Sequence, residues 1–443
     1  MKKIFFSVFI LGLLSTAVFI GFVSPVRATG TIYVRSDGSV DPATAPIQRL
    51  GKIYTFTENV YDEIVVERDN IVVDGAGYSL QGTGSGTGLE LSERINVTIS
   101  NMEIRDFFYG VYLYSSLKNS LSGNNMINNN YGIRLRCSPD NSISRNNIKN
   151  SFYGIWLTGS SNNTINKNNI TANNNDGIWL SSSSDHNKVS GNNIKNNGYG
   201  IRIDDYSNNI FRNNDVSNNK YNFGVYSSLL PEFIQDIDNS NTVNGKPIYY
   251  WVNRQDMAVP LDAGWIALIN CTRITVKNLS LTNNGQGMLL AYTTNSAITK
   301  NNITNNIHGI YLSGSSNNTI NENNIKANAG NGIYLYYSSN NTFSHNNFTN
   351  NMNQVYNVGD SINVWDDGVE GNYWSDYEDR YPNAIELNGS GIWDTPYVID
   401  GKNQDNYPVV PEFPTWTSTL LILVVITVAL AIHKQRLLKK PTR

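Results

Sequence analysis

A glycine followed by an apolar–variable–apolar triplet recurs about every 22 residues, and that period leaves few folds open. The glycines are Gly110, Gly132, Gly154, Gly177 and Gly200, then Gly287, Gly309 and Gly332. After them stand Val111/Leu113, Ile133/Leu135, Ile155/Leu157, Ile178/Leu180 and Ile201/Ile203, then Ile310/Leu312 and Ile333/Leu335. Alternation with period two marks a strand with one buried face. A second apolar column falls about 11 residues after the glycine (Leu121, Ile143, Ile165, Ile298, Ile320, Phe343). A third falls about 16 after it (Met126, Ile148, Ile170, Val216, Ile303, Ile325, Phe348). Each repeat therefore holds three short inward-facing strands separated by polar corners, none long enough for a helix. Stacked at about 4.8 Å per rung, such repeats make an all-β fold, a right-handed parallel β-helix.

An Asn pair precedes the third column nearly every time: Asn124-Asn125, Asn146-Asn147, Asn168-Asn169, Asn192-Asn193, Asn301-Asn302, Asn323-Asn324 and Asn346-Asn347. Asn tolerates the left-handed backbone of a tight corner, and its amide both donates and accepts. In register, one Asn can bond to those above and below it. The regular Ile and Leu columns exclude a disordered Asn-rich tract. The absence of a Leu-x-x-Leu-x-Leu frame excludes leucine-rich repeats.

The chain divides by pattern. Residues 1–28 have the layout of a secretory signal peptide, with Lys2 and Lys3 before an apolar run and Val26 and Ala28 at a small-residue cleavage site. Residues 29–60 are expected to cap the first rung, and 61–357 to form the coil. Within the coil, 227–264 break the repeat and are expected to protrude as a loop plus extra strand. Residues 358–410, rich in Trp, Tyr and Asp, are expected to cap the last rung, because an open end exposes unpaired strand edges. Residues 411–443 read as a transmembrane helix and a basic cytoplasmic tail, with Trp416 suited to the interface and Lys434, Arg436, Lys439, Lys440 and Arg443 marking the inner side. The Pro411-Glu412-Phe413-Pro414 stretch before the span resembles the C-terminal anchors of archaeal surface proteins. A single-pass protein with most of its mass at the cell surface is the expectation.

Charge narrows the partners. The chain has 33 basic and 36 acidic residues, and eight of the basic ones fall in the signal and the tail. The exported part is left with 25 against 36, a net charge near −11, which is the wrong sign for nucleic acid. Cys137 and Cys271 lie many rungs apart in strand-like segments, too far for a disulfide, and are expected to be buried thiols. About ten Asn-x-Ser/Thr sequons, among them Asn96, Asn162, Asn169, Asn270, Asn302, Asn317 and Asn340, fit a glycosylated exterior.

The Gly-Ile-x-Leu, Ser-Ser-Asn-Asn-Thr-Ile and Asn-Asn-Ile repeats from Asn96 to Asn357 resemble those of the NosD-type and carbohydrate-binding/sugar-hydrolase β-helix superfamily. Gly371-Asn372-Tyr373-Trp374-Ser375-Asp376-Tyr377 and Asp394-Thr395-Pro396-Tyr397 are similar to the C-terminal segment of NosD-like proteins. The resemblance implies a role near copper, since NosD-type proteins help mature a copper enzyme. Copper wants clustered His, Cys or Met. His186, His308 and His345 sit at three different repeat offsets, so copper rests on the resemblance alone. Asp204-Asp205 and His308-Gly309 are similar to the paired aspartates and His-Gly of polygalacturonase-like enzymes. They lie about a hundred residues apart, with no Arg-x-Lys following.

The candidate site is a row. Two residues after each glycine stand Tyr112, Arg134, Trp156, Trp179 and Arg202, then Leu289, Tyr311 and Tyr334, all outward and one rung apart. Asp176, Asp204 and Asp205 flank the same face. Exposed indoles can pack on sugar C–H faces, and Arg or Asp can bind hydroxyls and carboxylates. The same residues would also cover a sheet without any ligand, since Trp and Tyr favour strands. The expectation is a polysaccharide- or surface-layer-binding protein that uses Tyr112, Arg134, Trp156, Trp179, Arg202, Asp204 and Asp205 without catalysis or an essential cofactor. A polysaccharide hydrolase or lyase is the second reading, and a copper-related accessory the third. Asp366, Asp367, Asp376 and Asp379 of the C-terminal segment could hold calcium. The glycine run from Gly82 to Gly88 leads into a strand, so it is a turn and not a phosphate loop.

Overall fold

A computed structural model describes residues 30–205 and 207–410. It is a right-handed parallel β-solenoid of about 15 turns. A regular turn carries one six-residue strand, such as Tyr131–Arg136, and two three-residue strands, such as Ser142–Ser144 and Asn147–Lys149. The three apolar columns point inward as their spacing requires: Ile133, Ile143 and Ile148 are fully buried, and so is Ile155. The signal and anchor segments lie outside the described residues. Among those described, no helix is long and apolar enough to cross a membrane.

The Asn pair divides its labour. The first member turns inward and is buried, and the second stands outside on the strand. Asn168 Oδ1 accepts from the Asn146 backbone N–H at 3.0 Å and from Asn146 Nδ2 at 3.1 Å. Asn168 Nδ2 donates to the Ile143 carbonyl at 2.9 Å and to Asn192 Oδ1 at 3.0 Å. Each inner Asn thus satisfies a corner amide and carbonyl that the coil would otherwise bury unpaired. Neither member of the pair takes the left-handed backbone expected of it. The residue before the pair does, as at Arg145 (φ 54°), Lys167 (φ 56°) and Gly191 (φ 64°). Two further buried Asn ladders run beside this one, through Asn119, Asn141 and Asn163 and through Asn173, Asn197 and Asn219.

The segment 227–264 does not protrude. It splices two coils. Thr242–Val243 continues the Asn-Asn-Ile sheet of the first coil, pairs antiparallel with Lys246–Val252, and that strand pairs parallel with Trp265–Ile269. The sheet of short strands in the first coil thereby becomes the sheet of long strands in the second, one continuous sheet of 14 strands. The long-strand sheet of the first coil ends at Tyr221–Tyr226. The core divides with it into two clusters. Trp265–Ile269 and Gln286–Ala291 are buried on both faces, since their outer face packs against the end of the first coil.

Polar contacts key this junction. Gln286 Nε2 donates to the Val225 carbonyl at 3.0 Å, while Gln286 Oε1 accepts from the Val225 N–H at 3.3 Å. Tyr199 fills the space over Gly285, where a Cβ would lie 1.7 Å from the Tyr199 hydroxyl and 2.8 Å from that of Tyr226. Gly285→Ala is therefore expected to cost about 1–3 kcal/mol in denaturant unfolding. Adding Tyr199→Phe should recover part of that loss, and a double variant no better than Gly285→Ala would place the clash elsewhere.

Residues 31–56 already join the coil, with Thr31–Val34 parallel to Glu63–Val66 and Ile53–Phe56 parallel to Val72–Asp74. At the other end Trp365 stacks on Phe343 at 4.3 Å and Trp374 on Phe348 at 4.4 Å, extending the inner columns. Asp405 accepts from Trp374 Nε1 at 2.9 Å and from the Asn372 N–H at 2.7 Å, tying this segment together. Cys271 is buried, as expected, and donates to the Trp251 and Ile269 carbonyls. Cys137 is exposed, because it falls on a left-handed corner one residue past its strand. The seven named sequon asparagines are all exposed.

A stacked ribbon that ends at the coil junction

The row lies where the repeat offset puts it, with register Tyr112–Arg134–Trp156–Trp179–Arg202–Gly224 across adjacent long strands. Its geometry differs from open platforms. The Trp156 and Trp179 rings stack on each other, centroids 4.3 Å apart and 9° from parallel. The Arg134 guanidinium lies 3.8 Å over the outer face of Trp156, and that of Arg202 4.9 Å from Trp179. The ring faces that were to meet sugars are thus taken by row neighbours, and both indoles are half-buried rather than exposed. Their N–H groups are also held, Trp156 by Ser181 at 2.8 Å and Trp179 by Asp204 at 2.8 Å. Repeat offset fixes position but not ring orientation, and rings 4.8 Å apart stack along the axis. What the ribbon presents is edges and charges. Tyr112 stacks on Tyr109 at 4.9 Å, off the end of the groove.

An open groove of about 430 Å³ runs beside the ribbon, lined by Arg134, Arg136, Trp156, Thr158, Trp179, Ser181, Ser182, Asp204 and Asp205. Five of the seven expected residues meet there. Arginines stand at one end of the groove and aspartates at the other. Arg134 is only 8% exposed and bonds to the Leu135 and Trp156 carbonyls and to Thr158 Oγ1. Among the described residues no carboxylate lies within ion-pair distance of it, and burial pulls its pKa down. Exposed Arg136 stands next to it in the groove wall. At the other end, Asp204 accepts from Arg202 Nε at 3.0 Å and pairs with Nη2 at 2.9 Å. Asp205 sits on an exposed left-handed corner, its pKa raised by partial burial and by Glu232 and Asp204.

A second outward column reads Tyr109, Tyr131, Tyr153, Asp176 and Tyr199, each one residue before a glycine, and then Tyr221 before Asn222. Asp176 takes a tyrosine's place and is 1% exposed. Burial pushes its carboxyl up to about 7, against the pull of Arg202, and its Oδ1 has no hydrogen-bond partner. Nearby, a cavity of about 440 Å³ at the junction brings Arg202, Lys220, Tyr221 and Tyr226 of the first coil to Ile307 and His308 of the second. His308 thus shares a cavity with Arg202, the ion-pair partner of Asp204, and is not the many rungs away that a single stack would require. The splice is the reason. Burial lowers His308 to about 4, so it is neutral, and Asn331 Nδ2 lies 3.1 Å from its Nδ1. Tyr199, Tyr226 and Tyr311, which complete this region, carry no sequence signal of it.

Among the described residues, no three His, Cys, Asp or Glu side chains converge. Cys271 is spent in the core, and His345 is held between Asp367 at 3.0 Å and Glu370 at 3.2 Å. Nor do the aspartates expected to hold calcium converge: Asp366 caps Asn406, Asp367 binds His345 and its own turn, and Asp376 accepts from Tyr397.

A β-solenoid carrying a polar groove on its long-strand sheet is the class these features define. The family model described as "Periplasmic copper-binding protein (NosD)" matches residues 56–248 and 261–379. The chain belongs to the NosD family. No curated protein matches it. Among solved structures it is similar to the periplasmic alginate epimerase AlgG, at 11% identity and TM-score 0.33, over 71% of this chain and 80% of that one. It is also similar to the catalytic domain of a GH87 α-1,3-glucanase in complex with nigerose, at 18% identity and TM-score 0.40, over 73% of this chain and 63% of that domain. A third is the A-module of the Azotobacter vinelandii mannuronan C-5 epimerase AlgE6, at 15% identity and TM-score 0.30, over 76% and 90%.

Proposed function

We infer that this is an extracytoplasmic protein, held at the membrane by residues 411–443, that binds a carboxylate-bearing polysaccharide or a surface-layer glycoprotein carrying one. Residues 358–410 serve as its C-terminal cap. The family's periplasmic description supports the compartment. The observation that supports the ligand is Arg134, a buried guanidinium on the groove floor with no carboxylate partner among the described residues, beside exposed Arg136. A buried cation is costly until something pairs with it, and a sugar carboxylate can do so in two parallel hydrogen bonds. The net charge near −11 opposes an anionic polymer at long range, but screening confines that effect to about 8–10 Å at physiological salt. Copper draws no support from the donor set.

The purified protein should be retained on immobilised polygalacturonate, elute with salt, and pass through a neutral dextran column. Arg136→Gln should weaken retention roughly tenfold, the worth of one charged hydrogen bond, with the melting temperature unchanged because the side chain is exposed. Equal retention on both matrices would sink the reading. A hydrolase or lyase is the second reading, favoured by Asp176, a buried carboxyl near pH 7 beside the groove. New reducing ends appearing in the polygalacturonate would select it.

A further inference from the structure

The groove is open along the first coil and closed at one end. Tyr199 belongs to the same outward column as Tyr109, Tyr131 and Tyr153, which are half-buried, yet it is only 5% exposed. The second coil covers it. Its hydroxyl lies over Gly285 and 3.4 Å from that of Tyr226. Arg136, Thr158, Ser181 and Asp204 form one wall of the groove, and Tyr226, the next residue after Asp204 in that column, lines the junction cavity instead. Its ring faces His308 edge-on at 6.4 Å. Tyr311 donates to the Ser227 carbonyl at 3.1 Å and Tyr292 to that of Ser228 at 3.0 Å, so the second coil is bonded down across the line of the groove. A polymer lying along Arg136 and Ser181 meets the second coil at Tyr226.

We propose that this closed end seats the terminal sugar, so that the protein recognises the end of a polysaccharide chain and not an internal stretch. The proposal rests on the polysaccharide reading above. The seat is built for a residue with more free polar groups than an internal one has. Arg202 joins the two recesses, lining the junction cavity while its partner Asp204 lines the groove. Lys220 is exposed at the cavity mouth, 5.4 Å from the centre of the Tyr221 ring, with no ion-pair partner among the described residues. His308 lines the cavity wall, with Asn331 Nδ2 3.1 Å from its Nδ1. Asn174 and Asn175 add amides on the opposite side.

Calorimetric titration of the full chain with size-fractionated oligogalacturonates, about 6 and about 30 sugars long, tests this. Chain-end recognition gives one protein per chain at both lengths, with the same molar affinity. Lys220→Ala should weaken both about tenfold without moving the melting temperature. Several proteins on each long chain would overturn the proposal and leave the polysaccharide reading standing. Absence of binding at either length would overturn both.

Discussion

Asn168→Leu is expected to lower the stability of the first coil by roughly 3–5 kcal/mol, read as a shifted midpoint in denaturant. The substitution keeps the volume and removes the amide. The Asn146 N–H then has no acceptor, Asn146 Nδ2 loses one of its partners, and the Ile143 carbonyl loses a donor, all inside the coil. Each buried polar group left unpaired costs about 1–3 kcal/mol. The neighbouring residue is the control. Asn169 makes an equally regular pair of amide bonds, to Asn147 and from Asn193 at 2.7 Å each, but on the exposed side of the same strand. Water replaces those bonds, so Asn169→Leu should shift the midpoint by less than about 1 kcal/mol. Similar losses at both sites would mean that the inner ladder does not carry the corners.

Asp176→Asn should change how stability depends on pH. The folded carboxyl titrates at about 7, raised by burial, whereas the unfolded one titrates near 3.9. Between those values the folded chain holds a proton that the unfolded chain has lost. Stability therefore falls as pH rises from about 4 to about 7, and levels off above it. A shift of about three units corresponds to about 4 kcal/mol across that window. The Asn variant carries no such proton to lose, so its melting temperature should decline less than the parent's across that window, with Asp405, raised by burial to about 6, supplying the remaining decline, and at pH 8 it should be the more stable protein. Parallel curves would show that Asp176 ionises as freely in the folded chain as in the unfolded one.

The coil was legible because its evidence is periodic. Ile133, Ile143 and Ile148 recur at fixed offsets, and a period states both strand and facing. The splice was not, because Tyr226 to Gly264 has no period, and nothing local in Lys246–Val252 says that a short-strand sheet will be handed on as a long-strand one. One further misjudgement follows from it. Counting a hundred residues along one stack put His308-Gly309 far from Asp204-Asp205, whereas His308 lines one cavity with Arg202, the ion-pair partner of Asp204. The candidate row was placed correctly by offset, and Arg134, Trp156, Trp179, Asp204 and Asp205 do share a groove. Offset is silent on ring orientation, so the mutual stacking of Trp156 and Trp179 was hidden. The one local clue to Asp176 was present: it is the only carboxylate in a column of tyrosines.

The inner Asn ladders bear on how such a chain changes length over generations. The rung that spans Asn163 to Asn187 holds two more residues than its neighbours, and its amide bond still closes at 3.2 Å. One surplus residue falls between Ile170 and Gly177, and the other at the Ser182 and Ser183 corner, where both residues take the left-handed backbone. Whole rungs offer the same donors above and the same acceptors below, so duplicating one in the first coil leaves every other rung with an identical neighbour. The junction tolerates no such copying, since Gln286, Gly285 and Tyr199 each fit a single counterpart. Descendants of this gene can therefore acquire longer or shorter grooves by tandem duplication while inheriting one unchanged stop.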